Sequence, residues 1–400
     1  MTGVGPVFLS DLGVISSLGR GKEAVLSGLM KGERPDVAFR DDLLPDGESL
    51  HVGAVDEDLP QLPGDLSGFS SRNASLLIAA IEEIRDSLES ALSKYGRPRI
   101  AVVMGTSTSG IAEGERAVFD AARSGGLPEE FSMLRQELGS PGETAARYLG
   151  LGGPAFTVST ACSSSAQAIA DGRRLLRSGL ADAVLVGGVD SLCWLTVNGF
   201  RALSALSKGL CNPFSRNRDG TMIGEGAAVF LMERRESEIA VYGTGASCDA
   251  YSMTAPDPEA HGVEQAIRMA LKDSLTAPEE IDFIELHGTG TEQNDAMESK
   301  AVLRVFSAQT PCSSSKGRIG HTLGAAGAMG AAHCWLAASS ANEAGRLPPH
   351  VWDGEAEDGL LDESLVRPGQ RMDASDKRLF LSNAFAFGGN NVSLVIGRWG

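Results

Sequence analysis

Apolar residues recur along this chain as short continuous runs and as helix-spaced series, and the order of the two predicts an α/β protein. Phe8 to Ile15 reads as a first strand, followed by a loop-rich stretch to about Pro63 with many Asp, Gly and Pro residues. Leu77, Ile78, Ile81, Ile84, Leu88 and Leu92 fall at helical spacing and predict one amphipathic helix. Ile100-Ala101-Val102-Val103-Met104 is a continuous apolar run, hence a buried strand, and ends in Gly105-Thr106-Ser107-Thr108. A mostly polar helical region to about Leu149 precedes Phe156-Thr157-Val158. That segment reads as a short buried strand running into Cys162, three serines and a helix with apolar positions at Ala168, Ile169, Leu175 and Leu176. Ala183 to Val186 and Gly226 to Met232 are further buried strands.

The second half repeats this order. Ile239 to Ala246 predicts a strand, Val263 to Leu275 a helix, and Ile281 to Leu286 a strand running into His287-Gly288-Thr289-Gly290-Thr291. The earlier strand ends in the same G-T-x-T step. Ser313 to Gly320 then leads into the small-residue helix Leu323 to Met329, in the place the Cys162 helix holds in the first half. Leu379 to Leu381 and Val392 to Ile396 close the chain as strands. Two halves of order β-α-β-α-β-α-β-β, residues 1–238 and 239–400, predict a duplicated α/β unit; two independent parallel-sheet domains are the alternative. The Gly- and Ala-only faces of the two mid-half helices would let them pack closely at the centre.

Composition narrows the function. Four hundred residues, 42% hydrophobic with 49 glycines and 6% aromatics, suit close-packed α/β layers. Six scattered cysteines, without a CxxC pair or a secretory leader in Met1 to Pro6, speak against disulfides and a zinc cluster and for a reducing, cytoplasmic compartment. No run of about 18 apolar residues occurs, so no membrane span is expected. A formal net charge of −17 argues against nucleic-acid binding, and an acidic partner would need a local basic patch.

Cys162 sits at a strand-to-helix turn, where free N–H groups and the helix dipole favour the thiolate, so it is a candidate nucleophile. Of six histidines, His287 and His321 each end a strand-like segment beside glycines in equivalent places. Lys316, five residues before His321, has small flanks that would admit a buried ion pair with Glu298, eleven residues after His287. The Gly-rich loop Phe385 to Asn391 is either a hairpin turn or a source of backbone N–H groups for a substrate oxygen. No His or Cys pair is spaced as metal ligands on one turn, and no GxGxxG or P-loop pattern occurs.

Together these residues resemble the β-ketoacyl-acyl-carrier-protein synthases, condensing enzymes of fatty-acid and polyketide synthesis, in their elongating Cys-His-His form. Thr160-Ala161-Cys162-Ser163-Ser164-Ser165 resembles the nucleophile motif. His287 to Thr291 with Asp295 and Glu298 resembles the first histidine motif, and Lys316-Gly317-Arg318-Ile319-Gly320-His321 the lysine and second histidine. Asn383 to Asn391 resembles the closing loop, and Asn212-Pro213-Phe214, Arg218-Asp219-Gly220 and Gly224-Glu225-Gly226 also fit. The resemblance runs from about residue 100 onward.

It implies a thiolase-like, five-layer αβαβα sandwich that is usually a dimer, either a homodimer or a heterodimer with a second ketosynthase-like subunit. It also implies ping-pong chemistry without a tightly bound cofactor, substrates arriving on the 4′-phosphopantetheine of an acyl carrier protein. Cys162 would be acylated, and the malonyl thioester would then lose CO₂ and attack the acyl carbonyl. His287 and His321, as neutral imidazoles donating from Nε2, would hold the thioester oxygen. The N–H groups of Cys162 and Phe387 would form the oxyanion hole. Thr289 and Thr291 would contact the pantetheine arm, with Phe385 and Phe387 beside the substrate.

Three departures bear on subtype. Ala386 and Asn390 stand in the closing loop where the family has Gly and Thr, and Ala takes positive φ less freely than Gly. Thr108 occupies a position that shapes the acyl pocket and hints at an unsaturated or polar-ended chain. The connection after Leu206-Ser207-Lys208 is short. The combination resembles the synthases of aryl-polyene clusters, with an ordinary fatty-acid elongation enzyme close behind. A non-catalytic chain-length-factor-like subunit, or a thioesterase or decarboxylase using Cys162, are the competing readings. Arg201, Lys208, Arg216 and Arg218 are candidates for docking an acidic carrier protein; Arg216 and Arg218 could equally form internal ion pairs, Arg218 being the better suited to one.

Overall fold

The computed structural model describes residues 6–34, 37–372 and 377–400, so most of the stretch read for a leader, residues 1–5, lies outside the described residues. Ten strands carry the architecture: β1 (Val7–Ser16), β2 (Ile100–Gly105), β3 (Ala155–Val158), β4 (Ala183–Asp190) and β5 (Gly226–Glu233), then β6 (Ile239–Cys248), β7 (Phe283–Glu285), β8 (Cys312–Ser313), β9 (Leu379–Phe385) and β10 (Asn390–Arg398). They lie in the order β8-β7-β9-β10-β6-β1-β5-β4-β2-β3. Numbered within each half, both run third, second, fourth, fifth, first from edge to centre. The parallel and antiparallel pairings repeat as well. The halves meet where β1 pairs antiparallel with β6, Val7 opposite Val241 and Phe8 opposite Ala240. The duplication read from the sequence is therefore a pseudo-two-fold relation, and each half is a mixed rather than a parallel sheet.

The helices sort by the core they share. α2 (Arg72–Glu82), α3 (Arg85–Tyr95) and α5 (Ser140–Leu149) cover the outer face of the first half, with Leu77, Leu88, Met104 and Leu185 in one apolar cluster. α8 (His261–Ser274) and α9 (Glu292–Val305) cover the outer face of the second, with Ile267, Val302, Ile284 and Leu381. Between the sheets lie α6 (Ser164–Arg177) and α11 (Ala326–Ala338), whose cluster draws Val186 and Phe230 from one sheet and Phe380 and Leu394 from the other. The result is the five-layer αβαβα sandwich. Strands buried on both faces read as unbroken apolar runs, which is why they were legible. No helix among the described residues is long and apolar enough to cross a membrane.

Three expectations need correction. The stretch up to Pro63 holds a helix, α1 (Lys22–Leu29), and a small hairpin of strands 38–40 and 50–52. The series from Leu77 to Leu92 is two helices, not one: the backbone at buried Ile84 leaves the helical region (φ −122°, ψ 22°), and α3 starts anew at Arg85. Apolar spacing survives this break because both helices face the same sheet. Finally, β3 is a sheet edge, and Phe156, expected to be buried, is 39% exposed.

The central helices touch with nothing between them. A Cβ built on Gly327 would stand 2.6 Å from both the backbone nitrogen and the Cβ of Ala166. Ser165 Oγ, beside it, accepts the N–H of Ala328 at 2.7 Å. Gly327→Ala should therefore lower the unfolding free energy by about 1–3 kcal/mol through overpacking, read as a reduced urea midpoint. Wild-type stability would mean that the helices can separate freely.

Candidate active site

Cys162 owes its place to a strained turn. After β3, Ala161 adopts φ +50°, unusual for a residue with a Cβ, and turns the chain so that Cys162 stands just before α6. The serines after it hold this turn: the Thr160 N–H donates to Ser164 Oγ at 2.9 Å, and Ser163 Oγ donates to the Thr160 carbonyl at 2.9 Å.

Two further loops bring the histidines to the thiol. His321 follows the short helix α10 (Lys316–Ile319), and its own N–H donates to the Met222 carbonyl at 2.6 Å. Its Nε2 lies 3.0 Å from Cys162 Sγ, while its Nδ1 accepts the Leu323 N–H at 3.2 Å. A nitrogen that accepts carries no proton, so the proton resides on Nε2, which donates to the sulfur. His287 follows β7, its ring 5.3 Å from that of His321 in an edge-to-face arrangement. Burial pushes both imidazoles well below their ordinary pKa, with the Lys316 ammonium adding to the effect, so both are neutral.

Lys316 and Glu298 are both buried here, but they do not form the expected ion pair. Lys316 Nζ donates to the His287 carbonyl oxygen. Glu298 accepts the N–H of His287 at 2.8 Å, that of Gly288 at 2.7 Å and Asn383 Nδ2 at 3.2 Å. The two side chains grip one peptide segment from opposite ends. Burial raises the Glu298 carboxyl to about 7 against those N–H bonds, and it lowers Lys316. Asp295 adds two more clamps, accepting the N–H of Phe214 at 2.8 Å and of Gly290 at 3.2 Å.

The expected lowering of the thiol pKa is also corrected. Burial raises Cys162 to about 11, outweighing Lys316 and the N–H groups of Phe387 and Cys162, which act in the opposite sense. The sequence shows the helix terminus but not how little water reaches it.

A cavity of about 530 Å³ opens onto this group and is lined by Cys162, His287, His321, Thr289, Thr291, Phe385 and Phe387. Thr289 Oγ1 and Thr291 Oγ1 lie 2.9 Å apart on its wall. Ala386 is extended (φ −117°), and Gly388 and Gly389 take the positive φ angles instead, so alanine sits in this loop without strain. Phe200 was not foreseen. It stacks on Phe387 at 5.4 Å and meets the His321 ring edge-on at 6.2 Å, and no local pattern on its half-polar helix α7 (Trp194–Ala202) marks it.

Thr108 is absent from the cavity wall. Its hydroxyl donates to Asp190 Oδ1 at 2.7 Å and accepts the Ser191 N–H, so it offers a chain no polar group. Of the basic candidates, Arg201 is paired with Asp46 and Glu48, and Arg218 with Glu357. Arg216 donates to the Ala356 carbonyl, and Lys208 is exposed.

The Cys162, His287 and His321 donor atoms lie within 4.8 Å of one another, close enough for a soft metal. The donor set does not fit one: the His321 nitrogen facing the centre holds a proton, and the thiol keeps its own. The arrangement is instead a converging set of hydrogen-bond donors around one sulfur.

Comparison with known proteins agrees with this geometry. Residues 55–238 match the model for the beta-ketoacyl synthase N-terminal domain, and residues 239–350 that for its C-terminal domain. Nodulation protein E of Rhizobium meliloti is 33% identical over 359 residues, covering 86% of this chain and 87% of that protein. The 3-oxoacyl-acyl-carrier-protein synthase 2 of Synechocystis sp. is 30% identical over 98% of each chain. Among solved structures, a chain from the complex of the ketosynthase ApeO with its chain length factor ApeC, from Xenorhabdus doucetiae, superimposes with a TM-score of 0.93. It is 41% identical over 98% of both chains.

With its thiol raised to about 11, Cys162 should react with iodoacetamide about tenfold faster per pH unit between roughly pH 7 and 10. A rate that levels off below about pH 8 would show a thiol already activated in the resting enzyme.

Proposed function

The chain belongs to the β-ketoacyl synthase family, and from that premise we propose that it is a condensing acyltransferase whose reaction centre is Cys162, His287 and His321. It joins an acyl group to a two-carbon unit from malonyl-acyl-carrier protein. The observation that carries these roles is the fixed tautomer of His321, which presents an N–H donor 3.0 Å from the Cys162 sulfur. A base for a resting thiol would need a free lone pair there; a holder of developing negative charge needs a proton.

In the first half-reaction the Cys162 sulfur attacks the acyl thioester, and the N–H groups of Cys162 and Phe387 receive the tetrahedral oxyanion. The carbon–sulfur bond to pantetheine breaks as the proton given up by Cys162 goes to the departing sulfur, which leaves as a thiol. The malonyl thioester then enters along Thr289 and Thr291. Neutral His287 and His321 donate to its carbonyl oxygen as the carbon–carboxylate bond breaks. CO₂ departs, the enolate carbon attacks the acyl carbonyl, and the Cys162 thiolate is expelled. Lys316, Glu298 and Asp295 act on the His287 loop rather than on substrate. The phosphopantetheine arm is part of the substrate, delivered by the carrier protein.

The functional halves are residues 1–238, with the nucleophile, and 239–400, with the histidines and closing loop. The exposed edge strand β3 with Phe156, and the exposed apolar residues Val118 and Phe119 of α4 (Ile111–Ser124), suit pairing with a second ketosynthase-like chain. The 41% identity to a chain from a ketosynthase–chain-length-factor complex, against 30% to a 3-oxoacyl-acyl-carrier-protein synthase, favours a heterodimer and a polyketide or aryl-polyene product over ordinary fatty-acid elongation. Retention of Cys162 and both histidines assigns this chain the catalytic side of such a pair, in the cytoplasm.

The test supplies acyl- and malonyl-acyl-carrier protein and follows products by mass spectrometry. The wild type should gain an acyl adduct on Cys162 and release a chain two carbons longer. Cys162→Ala should abolish the adduct. His321→Ala should still be acylated while malonyl decarboxylation falls by about 10²–10³-fold. Intact decarboxylation in His321→Ala would overturn its role, and free acid as the sole product would favour a thioesterase.

A further inference from the structure

Behind the three site residues lies a buried cluster that this chemistry does not use. Glu285 ends β7, two residues before His287, and is 2% exposed. Its Oε1 accepts the N–H of Ser315, the residue before Lys316, at 3.2 Å, and lies 3.6 Å from Nδ1 of fully buried His333 on α11. Its Oε2 and both ring nitrogens of His333 have no hydrogen-bond partner. Gly330, one turn before His333, makes the room: a Cβ there would stand 2.8 Å from Ser382 Oγ and 3.4 Å from Glu285 Cγ.

A buried carboxylate with an orphaned oxygen is costly and requires positive charge nearby. The titratable and charged groups facing it are Lys316 and Arg318 of α10, His333 and Cys334 of α11, and His350. Arg318 is committed to the carbonyls of Lys31, Glu33 and Pro349. His350 accepts the Ser314 N–H at Nδ1 and donates to the Pro213 carbonyl, so it is neutral. The Cys334 thiol is pushed up by burial and stays protonated. Lys316 remains. Burial works against its charge, Glu285 and then Glu298 work for it, and it carries the His287 carbonyl.

We propose that Glu285, seated against His333, is a positioning residue for His287: its negative charge keeps Lys316 an ammonium ion on the His287 carbonyl, and so keeps that imidazole aimed at the malonyl thioester. The inference rests on the condensing-enzyme reading and assigns Glu285 to the second half-reaction. Glu298, engaged by three N–H donors, orders the same loop through its backbone, whereas Glu285 acts through charge.

The experiment measures Cys162 acylation and malonyl-acyl-carrier-protein decarboxylation against pH in the wild type, Glu285→Gln and Glu285→Asp. In Glu285→Gln the ratio of decarboxylation to acylation rates should fall about tenfold. The alkaline limb of the decarboxylation profile should move down by about one pH unit, because an unopposed Lys316 loses its proton sooner. Glu285→Asp, which keeps the charge, should return the limb toward its wild-type position. An unmoved limb in Glu285→Gln, or equal losses in both half-reactions, overturns the inference, since lost packing alone would do that. If Glu285→Gln does not fold, His333→Gln is read by the same ratio: a selective loss of decarboxylation supports the inference, and equal or no loss overturns it. A wild type that neither acylates nor condenses refutes the functional reading as well, whereas a competent wild type with unaltered variants refutes only the role of Glu285.

Discussion

The direct contact between α6 and α11 governs both fold and site. Because Gly327 meets Ala166 without an intervening side chain, the two helices can lie in one layer between two sheets and bury apolar residues from both. The same contact brings the N-terminal ends of the equivalent helices together near the pseudo-two-fold axis. Cys162 precedes one of these ends and His321 the other, so residues 159 apart in sequence arrive 3.0 Å apart. Small residues at this crossing are required by geometry and not by helix propensity, since glycine is among the poorest helix formers.

Dryness gives that meeting point its chemistry. Burial keeps both imidazoles neutral and makes them donors, and it also holds the thiol protonated. A thiol at about 11 resists ionisation at pH 7 by about 5 kcal/mol. The Phe387 and Cys162 N–H groups and His321 Nε2 are already aimed at the sulfur, and the Lys316 charge acts on it from the His287 carbonyl, but they do not outweigh desolvation. In the proposed reaction they gain most when negative charge moves onto a substrate oxygen beside them, which is the condition for donors to favour a transition state over the resting thiol. The centre is therefore tuned for charge that develops during reaction, and a reactive resting nucleophile is not needed.

What the sequence revealed and what it hid follow one physical division. Cys162, His287 and His321 were legible because each sits in a local turn whose glycines or serines leave a signature. The layered duplication was legible because strands buried twice are apolar throughout. Relations between side chains and distant backbone were not. Lys316 and Glu298 looked like an ion pair because opposite charges in a buried setting suggest one, yet both are committed to the peptide of His287. Phe156 looked buried because an apolar residue in a strand does not reveal that the strand lies at an edge. Phe200 had no signal, as its partners Phe387 and His321 lie more than a hundred residues away.

Duplication supplied two nearly identical turns, and the placement of acidic residues made them different. In the first half Asp190 takes up the Thr106 and Thr108 hydroxyls together with the N–H groups of Ser107 and Thr108, and the turn is closed. In the second half Asp295 and Glu298 take backbone N–H groups of the turn and, beyond it, the side-chain amides of Asn294 and Asn383, and the Thr289 and Thr291 hydroxyls are left facing each other on the cavity wall. A carboxylate that satisfies side chains produces a structural turn; one that satisfies backbone leaves the side chains for a ligand. The same G-T-x-T step thus serves the core in one copy and the cavity wall in the other, and a histidine at the head of the second copy completes the distinction.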